Sequence, residues 1–299
     1  MFKFIFTLHI SKLENRMSNS NQWSTIITPK VKWFHLNIRE IWEYRDLIRI
    51  FVRRDIVAIY KQTVLGPIWF LLGPLFTVFT YTFLFKEIAH LSTDGLPGPL
   101  FYLGGTTLWN YFNSCFNGAS STFSSNAGIF GKVYFPRLVS PISMVISNLL
   151  KLSIQMFTYL CFFIYYLVQP DSIIEPNLCI LLIPVIILVL GGIAMGFGII
   201  ISSFTTKYRD LTMLVGVFMT LLMYATPIMY PVSDIPPMYK TFLSLNPISP
   251  MIETFRYAFT GRGYFTAASF MYSVIFMLTI LVLGIFVFNK TEKTFMDTV

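Results

Sequence analysis

Residues 49–85 read RIFVRRDIVAIYKQTVLGPIWFLLGPLFTVFTYTFLF. The first half places Arg49, Arg53, Arg54, Asp55 and Lys61 among apolar residues. The second half, after Gly66-Pro67, has no charge until Lys86. A charged amphipathic helix thus opens directly into a segment of about 30 Å at roughly 1.5 Å per residue, enough to cross a bilayer. One half belongs in water and the other in lipid, so the chain is expected to be an integral membrane protein.

Composition supports this. Hydrophobic residues make up 55% of the chain, charged residues only 12%, and mean hydropathy is +0.65, whereas a soluble domain is about one quarter charged. The net charge of +8 comes from Lys and Arg concentrated between apolar runs. That is the pattern of positive-inside topology rather than of nucleic-acid binding. Cys115, Cys161 and Cys179 lie in or beside apolar runs, an odd, scattered set with neither disulfide nor metal spacing. MFKFIFTLHI is too short to span and no small-residue cleavage site follows it, which makes Met17 a candidate start.

Outward from the opening stretch, residues 1–37 read as a cytoplasmic tail. Residues 38–65 read as an interfacial helix: Ile38, Ile41, Trp42, Ile48, Val52, Ile56 and Ile59 recur at three- and four-residue steps. A simple surface anchor over anionic lipid would show the same pattern. Residues 66–288 form the transmembrane domain and 289–299 a cytoplasmic tail. Six spans are expected, at 66–85, 100–120, 142–168, 178–204, 211–229 and 268–288, with both termini cytoplasmic.

Several spans carry marks of their own. Gly73-Pro74 is expected to kink the first. The second holds Asn110, Asn113, Ser114 and Asn117, which should face protein or water rather than lipid. Lys151 in the third can snorkel to the interface. In the fourth, the glycines of GGIAMGFG permit close packing or a bend. Residues 232–265, broken by Pro236, Pro237, Pro247 and Pro250, are expected to form two short re-entrant or interfacial helices on the outer side, one of them at 250–260.

Catalytic chemistry is hard to find. His9, His35 and His90 are dispersed, and Glu87, Asp94, Asp171, Glu175, Asp234 and Glu253 fall in expected outer loops, as solvated groups. No Asp or Glu falls within the expected spans, which disfavours an ion-coupled carrier. GIFGK at 128–132 is not a phosphate loop, because Asn126 stands where the first glycine belongs and Val133 where Ser or Thr belongs. Neither cofactor nor metal is expected on this chain. Most of the 31 Phe, 16 Tyr and 5 Trp suit lipid contact and interfacial belts. Trp69, Phe76, Tyr81, Trp109, Tyr111 and Tyr224 are the candidates for lining a path on which sugar rings can slide.

Three blocks, RRDIVAIYKQTVLGPIWFLLGPL, FGKVYFPRLVSP and NPISPMIETFRYAFTG, resemble the permease subunits of ABC transporters that export polysaccharides: O-antigen, capsule and teichoic acid exporters of the type-2 class. The resemblance spans most of 40–288. It implies an all-α, six-helix protomer of the bacterial inner membrane that forms a homodimer and pairs with two separate ATPase subunits, on which ATP and Mg bind. It implies a gate helix carrying Arg49, Arg53, Arg54, Asp55, Tyr60, Lys61 and Gln62. It also implies an ATPase-coupling loop with Lys132, Tyr134, Phe135, Pro136 and Arg137, and outer re-entrant helices over the channel. The implied substrate is a glycan on undecaprenyl pyrophosphate or a related lipid. Exporters of drugs or small lipids, and less readily a membrane-embedded transferase, are the alternatives.

Overall fold

In a computed structural model of the chain, residues 38–61, 68–130, 132–133, 135–170, 173–205, 208 and 210–295 are described. All of them fall within one compact unit, and the expectations for 1–37 lie outside them. Among the described residues the fold is helical throughout, without strands.

The amphipathic region is a short helix α1 (Ile38–Glu43) followed by α2 (Arg45–Lys61). α3 (Trp69–Tyr81) continues as a π-helical turn (Thr82–Ile88), a form that is rare and marks a locally widened helix. α4 (Gly98–Ser120) is followed at once by α5 (Thr122–Phe130). The coupling loop that the resemblance implies over 126–137 is therefore helical as far as Phe130, because TFSSNAGIF has no proline to stop it. α6 (Val139–Leu167) comes next, then a 3-10 turn (Leu178–Leu182) and α7 (Ile183–Thr205). The last elements are α8 (Leu211–Tyr224), a 3-10 turn (Val232–Asp234), α9 (Pro237–Leu245), α10 (Ser249–Thr260) and α11 (Ala267–Phe295).

Among the described residues, four segments are long and apolar enough to cross a membrane: Trp69–Ile88, Val139–Leu167, Leu178–Thr205 and Ala267–Thr291. α8 is apolar but short, with 14 residues. α4 has the length but is more polar, and its position explains that. It is the central helix, buried from Leu100 through Trp109, where α6, α7 and α3 all pack on it. A helix surrounded by protein does not need a lipid-facing surface, so its composition is set by packing.

α7 and α11 touch at the backbone. A Cβ on Gly284 would lie 2.7 Å from the Gly196 carbonyl oxygen, and one on Gly196 would lie 3.0 Å from the backbone of Ile280. Small residues at such crossings allow close van der Waals packing where hydrophobic driving force between helices is weak. The GGIAMGFG glycines therefore serve packing.

Two buried clusters divide the bundle lengthwise. One gathers Phe51 from α2, Phe123 and Phe130 from α5, Phe135 and Leu138, Ile199 from α7 and Phe288 from α11. The other collects the start of α4, the end of α6, the start of α7, and α10. α4 runs from one to the other, about 34 Å for its 23 residues.

Candidate functional site

The first cluster joins the two elements singled out from sequence. Phe51 on α2 is buried and meets Phe135 edge-on at 5.8 Å between ring centroids, and Phe135 meets Phe130 at 5.5 Å. Phe123 stacks on Phe288 at 4.6 Å. Arg137, also buried, lies with its guanidinium 5.3 Å from the Phe130 ring centre and 6.0 Å from that of Phe123. This cation–ring contact places a charge inside an aromatic shell. Asn126 anchors the region by donating to the Thr122 carbonyl at 3.0 Å and to Ser140 Oγ at 2.9 Å. Its side chain thus ties α5 to the start of α6.

The polar side of α2 divides into surface and contact. Arg49 pairs with Asp46 at 2.8 Å, both exposed, and Arg53 and Lys61 are exposed. Arg54 pairs with Asp55 at 2.9 Å and sits 4.8 Å over the Phe51 ring. Asp55 in turn accepts from Ser147 Oγ on α6 at 3.2 Å, so α2 is fastened to α6 by one polar contact as well as by Phe51. Lys132 and Val133 are exposed, Pro136 is half-buried. Gln62, Tyr134 and the Tyr60 side chain lie outside the described residues.

The six aromatic candidates do not share a surface. Trp69, Phe76 and Tyr224 are exposed and Tyr81 is half-buried. Trp109 and Tyr111 are buried in the core, because α4 is central and turns that face inward. The polar residues of α4 do share one. Asn110, Asn113, Ser114 and Asn117, spaced three and four apart, remain half-buried or exposed on a helix otherwise enclosed. Asn117 donates to Asn113 at 2.9 Å, and Asn110 reaches Gln155 of α6 at 3.5 Å. The open side of the central helix is therefore an amide stripe.

At the other end, the expectation that Glu253 is a solvated loop group is corrected, and Arg256 is buried beside it. Both lie on α10 and are about 3% exposed. Glu253 Oε1 accepts from Arg256 Nη1 at 2.8 Å, and Oε2 accepts from the Tyr264 backbone N–H at 3.0 Å. Arg256 Nη2 donates to the Ile228 carbonyl at 2.9 Å, and the guanidinium lies 3.8 Å from the Phe101 ring centre. Burial pushes the Glu253 carboxyl above its ordinary range while the Arg256 charge opposes the shift. The pair fastens α10 to α4, to the segment after α8 and to the loop before α11. Its sequence signal was ETFR: opposite charges three apart, on one face of a helix, in a segment otherwise apolar. α10 begins with Pro250 in its first turn and ends at Gly261, whose φ of 67° is the left-handed stop that glycine adopts freely.

A bundle of long apolar helices around a polar-striped central helix, fronted by an amphipathic helix, is a membrane transport domain. The ABC-2 type transporter family model matches residues 46–260, and the chain belongs to that family. Among the curated relatives, it is 29% identical to the O-antigen export system permease protein RfbA of Klebsiella pneumoniae, covering 84% of this chain and 94% of the relative. The RfbA of Myxococcus xanthus is 27% identical over 74% of this chain and 83% of its own length. The polysialic acid transport protein KpsM of Escherichia coli is 23% identical over 82% and 93%. The protein is thus a transporter permease subunit and a multi-pass protein of the bacterial inner membrane.

Proposed function

We propose that this chain is the membrane subunit of an ATP-driven exporter that carries a lipid-linked polysaccharide, such as an O-antigen on undecaprenyl pyrophosphate, out of the cytoplasm. Two copies pair in the membrane and engage two separate ATPase subunits, which bind ATP and Mg. Each copy crosses six times, α3, α4, α6, α7, α8 and α11 being the spans. Its termini are cytoplasmic, and α9 and α10 are the outer re-entrant helices.

The observation that carries this reading is the amide stripe of α4. Lipid offers no partner to Asn113, Ser114 and Asn117, so this side of the helix belongs against water, substrate or a second protomer. The apolar surfaces of α3 and α8, with Phe76, Phe79, Met213, Leu214 and Val217 exposed, suit lipid and a second copy. The names of the relatives supply the polymer class.

The contact of Phe51 with Phe135 suits the coupling step. ATPase closure displaces the loop holding Lys132, Phe135, Pro136 and Arg137, and α2 follows because their rings are packed together. Binding of ATP shifts the channel only through such a differential contact between two states. Arg53, Arg54 and Lys61 lie at the cytoplasmic mouth, where a pyrophosphate needs cations before leaving water.

Deleting the gene is expected to strip the polysaccharide from the cell surface and leave lipid-linked glycan inside, as read by surface immunoblot and lipid extraction. Restoring the gene with Arg53→Glu and Arg54→Glu is expected to give normal membrane levels and no export. Normal surface glycan in the deletion strain would turn the reading toward export of drugs or small lipids.

A further inference from the structure

Several segments far from α2 enclose a cleft of about 900 Å³, toward the upper end of the roughly 300–1,000 Å³ usual for small-molecule sites. Asp94 comes from the loop before α4, Lys240 from α9, Ser249 and Glu253 from α10, and Arg262 and Tyr264 from the loop that follows. In a chain with so few charges, this is a concentration of polar groups.

Their balance points to a ligand class. The lining mixes acceptors with donors: Asp94 accepts, Lys240 and Arg262 donate, Glu253 is already paired with Arg256, and most of the remaining polar lining is hydroxyl. A phosphate or pyrophosphate accepts hydrogen bonds only, and its sites hold an excess of cationic donors. A sugar hydroxyl both donates and accepts, so it fits a lining of carboxylate, guanidinium and serine together. Tyr264 is 60% exposed and offers a flat face of the kind a sugar ring covers.

A second observation is independent of this count. Ser249 is 4% exposed, lines the cleft, and its hydroxyl has no hydrogen-bond partner among the described residues. Buried hydroxyls are paired as a rule, because leaving one unpaired is destabilising. Here the described residues provide no partner, and a ligand hydroxyl in the cleft would.

The site is also built. Glu253 has both oxygens engaged, by Arg256 and by the Tyr264 N–H, so it forms a fixed floor. Asp94 has a φ of 54° and its carboxylate accepts from the Ser233 hydroxyl, which holds the loop before α4 against the turn before α9. α9 turns Lys240, Thr241 and Ser244 to the cleft and leaves Met238, Phe242 and Leu245 exposed. Both sides of this helix are exposed, and the polar one borders the cleft.

We infer that this cleft is a saccharide-binding site, which holds sugar units of the exported polymer through Asp94, Ser249 and Arg262, with a ring face on Tyr264. The inference rests on the export reading and adds to it a site outside the α4 stripe, at the opposite end of the protomer from the gate helix.

The test is photo-crosslinking in cells that make the polymer. The full chain carries Thr241→p-benzoylphenylalanine, or Ser244→p-benzoylphenylalanine as a second lining position in case the first disturbs folding. Met238→p-benzoylphenylalanine, on the outer side of α9, is the control. After illumination, permease purified from 241 and 244 is expected to carry glycan by carbohydrate staining, and permease from 238 is not. The adduct should vanish in a strain blocked in polymer synthesis. In parallel, Tyr264→Ala should lower surface polysaccharide about three- to tenfold at unchanged permease levels, the range one lost ring contact gives, and Tyr264→Phe should restore it. Equal labelling at all three positions, none at 241 and 244, or an unaffected Tyr264→Ala strain would overturn the site. If that occurs while gene deletion still abolishes surface polysaccharide, the export reading stands and the cleft alone falls. Unchanged surface polysaccharide on deletion removes the export reading and this inference with it.

Discussion

The two ends of the protomer both pack rings and differ in whether they bury a salt bridge. At the α2 end, Phe51, Phe123, Phe130, Phe135 and Phe288 pack ring on ring, and the charges of α2 lie on the surface or over a ring face. At the α10 end rings pack as well, Tyr159, Phe163, Phe255 and Phe259 meeting at 4.9–5.1 Å between centroids, and an ion pair inside the protein, Glu253–Arg256, adds directed bonds at 2.8–3.0 Å that join three segments. Ring packing is non-directional and tolerates small displacements, because neighbouring geometries differ little in energy. A buried ion pair tolerates none without stranding a charge. The end with interchangeable contacts suits the part that moves, and the end with directed bonds suits the part that keeps its shape.

Substitutions at the two ends should separate these modes. The largest effect is expected from Arg256→Ala, which leaves Glu253 buried and unpaired at a loss of about 3–5 kcal/mol. Purified protein should show a sharply lowered midpoint in a thermal unfolding assay. Glu253→Met combined with Arg256→Met should recover part of the loss, since no charge is then stranded. A single variant as stable as the parent would show that the pair does not hold this end.

A smaller effect is expected at Phe51→Leu, which keeps an apolar side chain and removes ring packing, at about 1.5 kcal/mol or less. Export should fall by more than stability does, because the contact to Phe135 is the one that passes motion along. An equal fall in both would make the cluster merely structural. The smallest effect belongs to Arg49→Ala. Its pair with Asp46 is on the surface, where such pairs contribute about 0–1 kcal/mol, and the unfolding midpoint should move little.

Much of this arrangement was legible in the sequence, for reasons that differ by region. The long apolar runs near 142–168, 178–204 and 268–288 led to helices with close to those bounds, since length and composition alone decide whether a helix can span. α2 could be read from its three- and four-residue periodicity, and α9 and α10 from the prolines that interrupt 232–265. The amides of α4 were legible as a polar run, and the structure gathers them on the open side of that helix.

What stayed hidden depended on which neighbours a helix acquires. Trp109 and Tyr111 have the same composition signal as Trp69 and Phe76, yet the first two are buried and the second two exposed. Only the central position of α4 separates them. Glu253 read as a loop charge because the partners that surround it and Arg256, namely Ile228, Tyr264 and Phe101, are 28, 11 and 155 residues from one member or the other. ETFR marks the pairing locally, but burial by distant segments leaves no such mark.

The contact between Gly196 and Gly284 has a mechanical consequence. Packed helices slide past each other by small rearrangements of the side-chain layer between them. Where two backbones meet directly, as α7 and α11 do at Gly196 and Gly284, that layer is locally absent. Such a crossing leaves little room to shift, so in a transport cycle the displacement is expected in the elements mounted around it, α2, α3 and α8, rather than between these two helices.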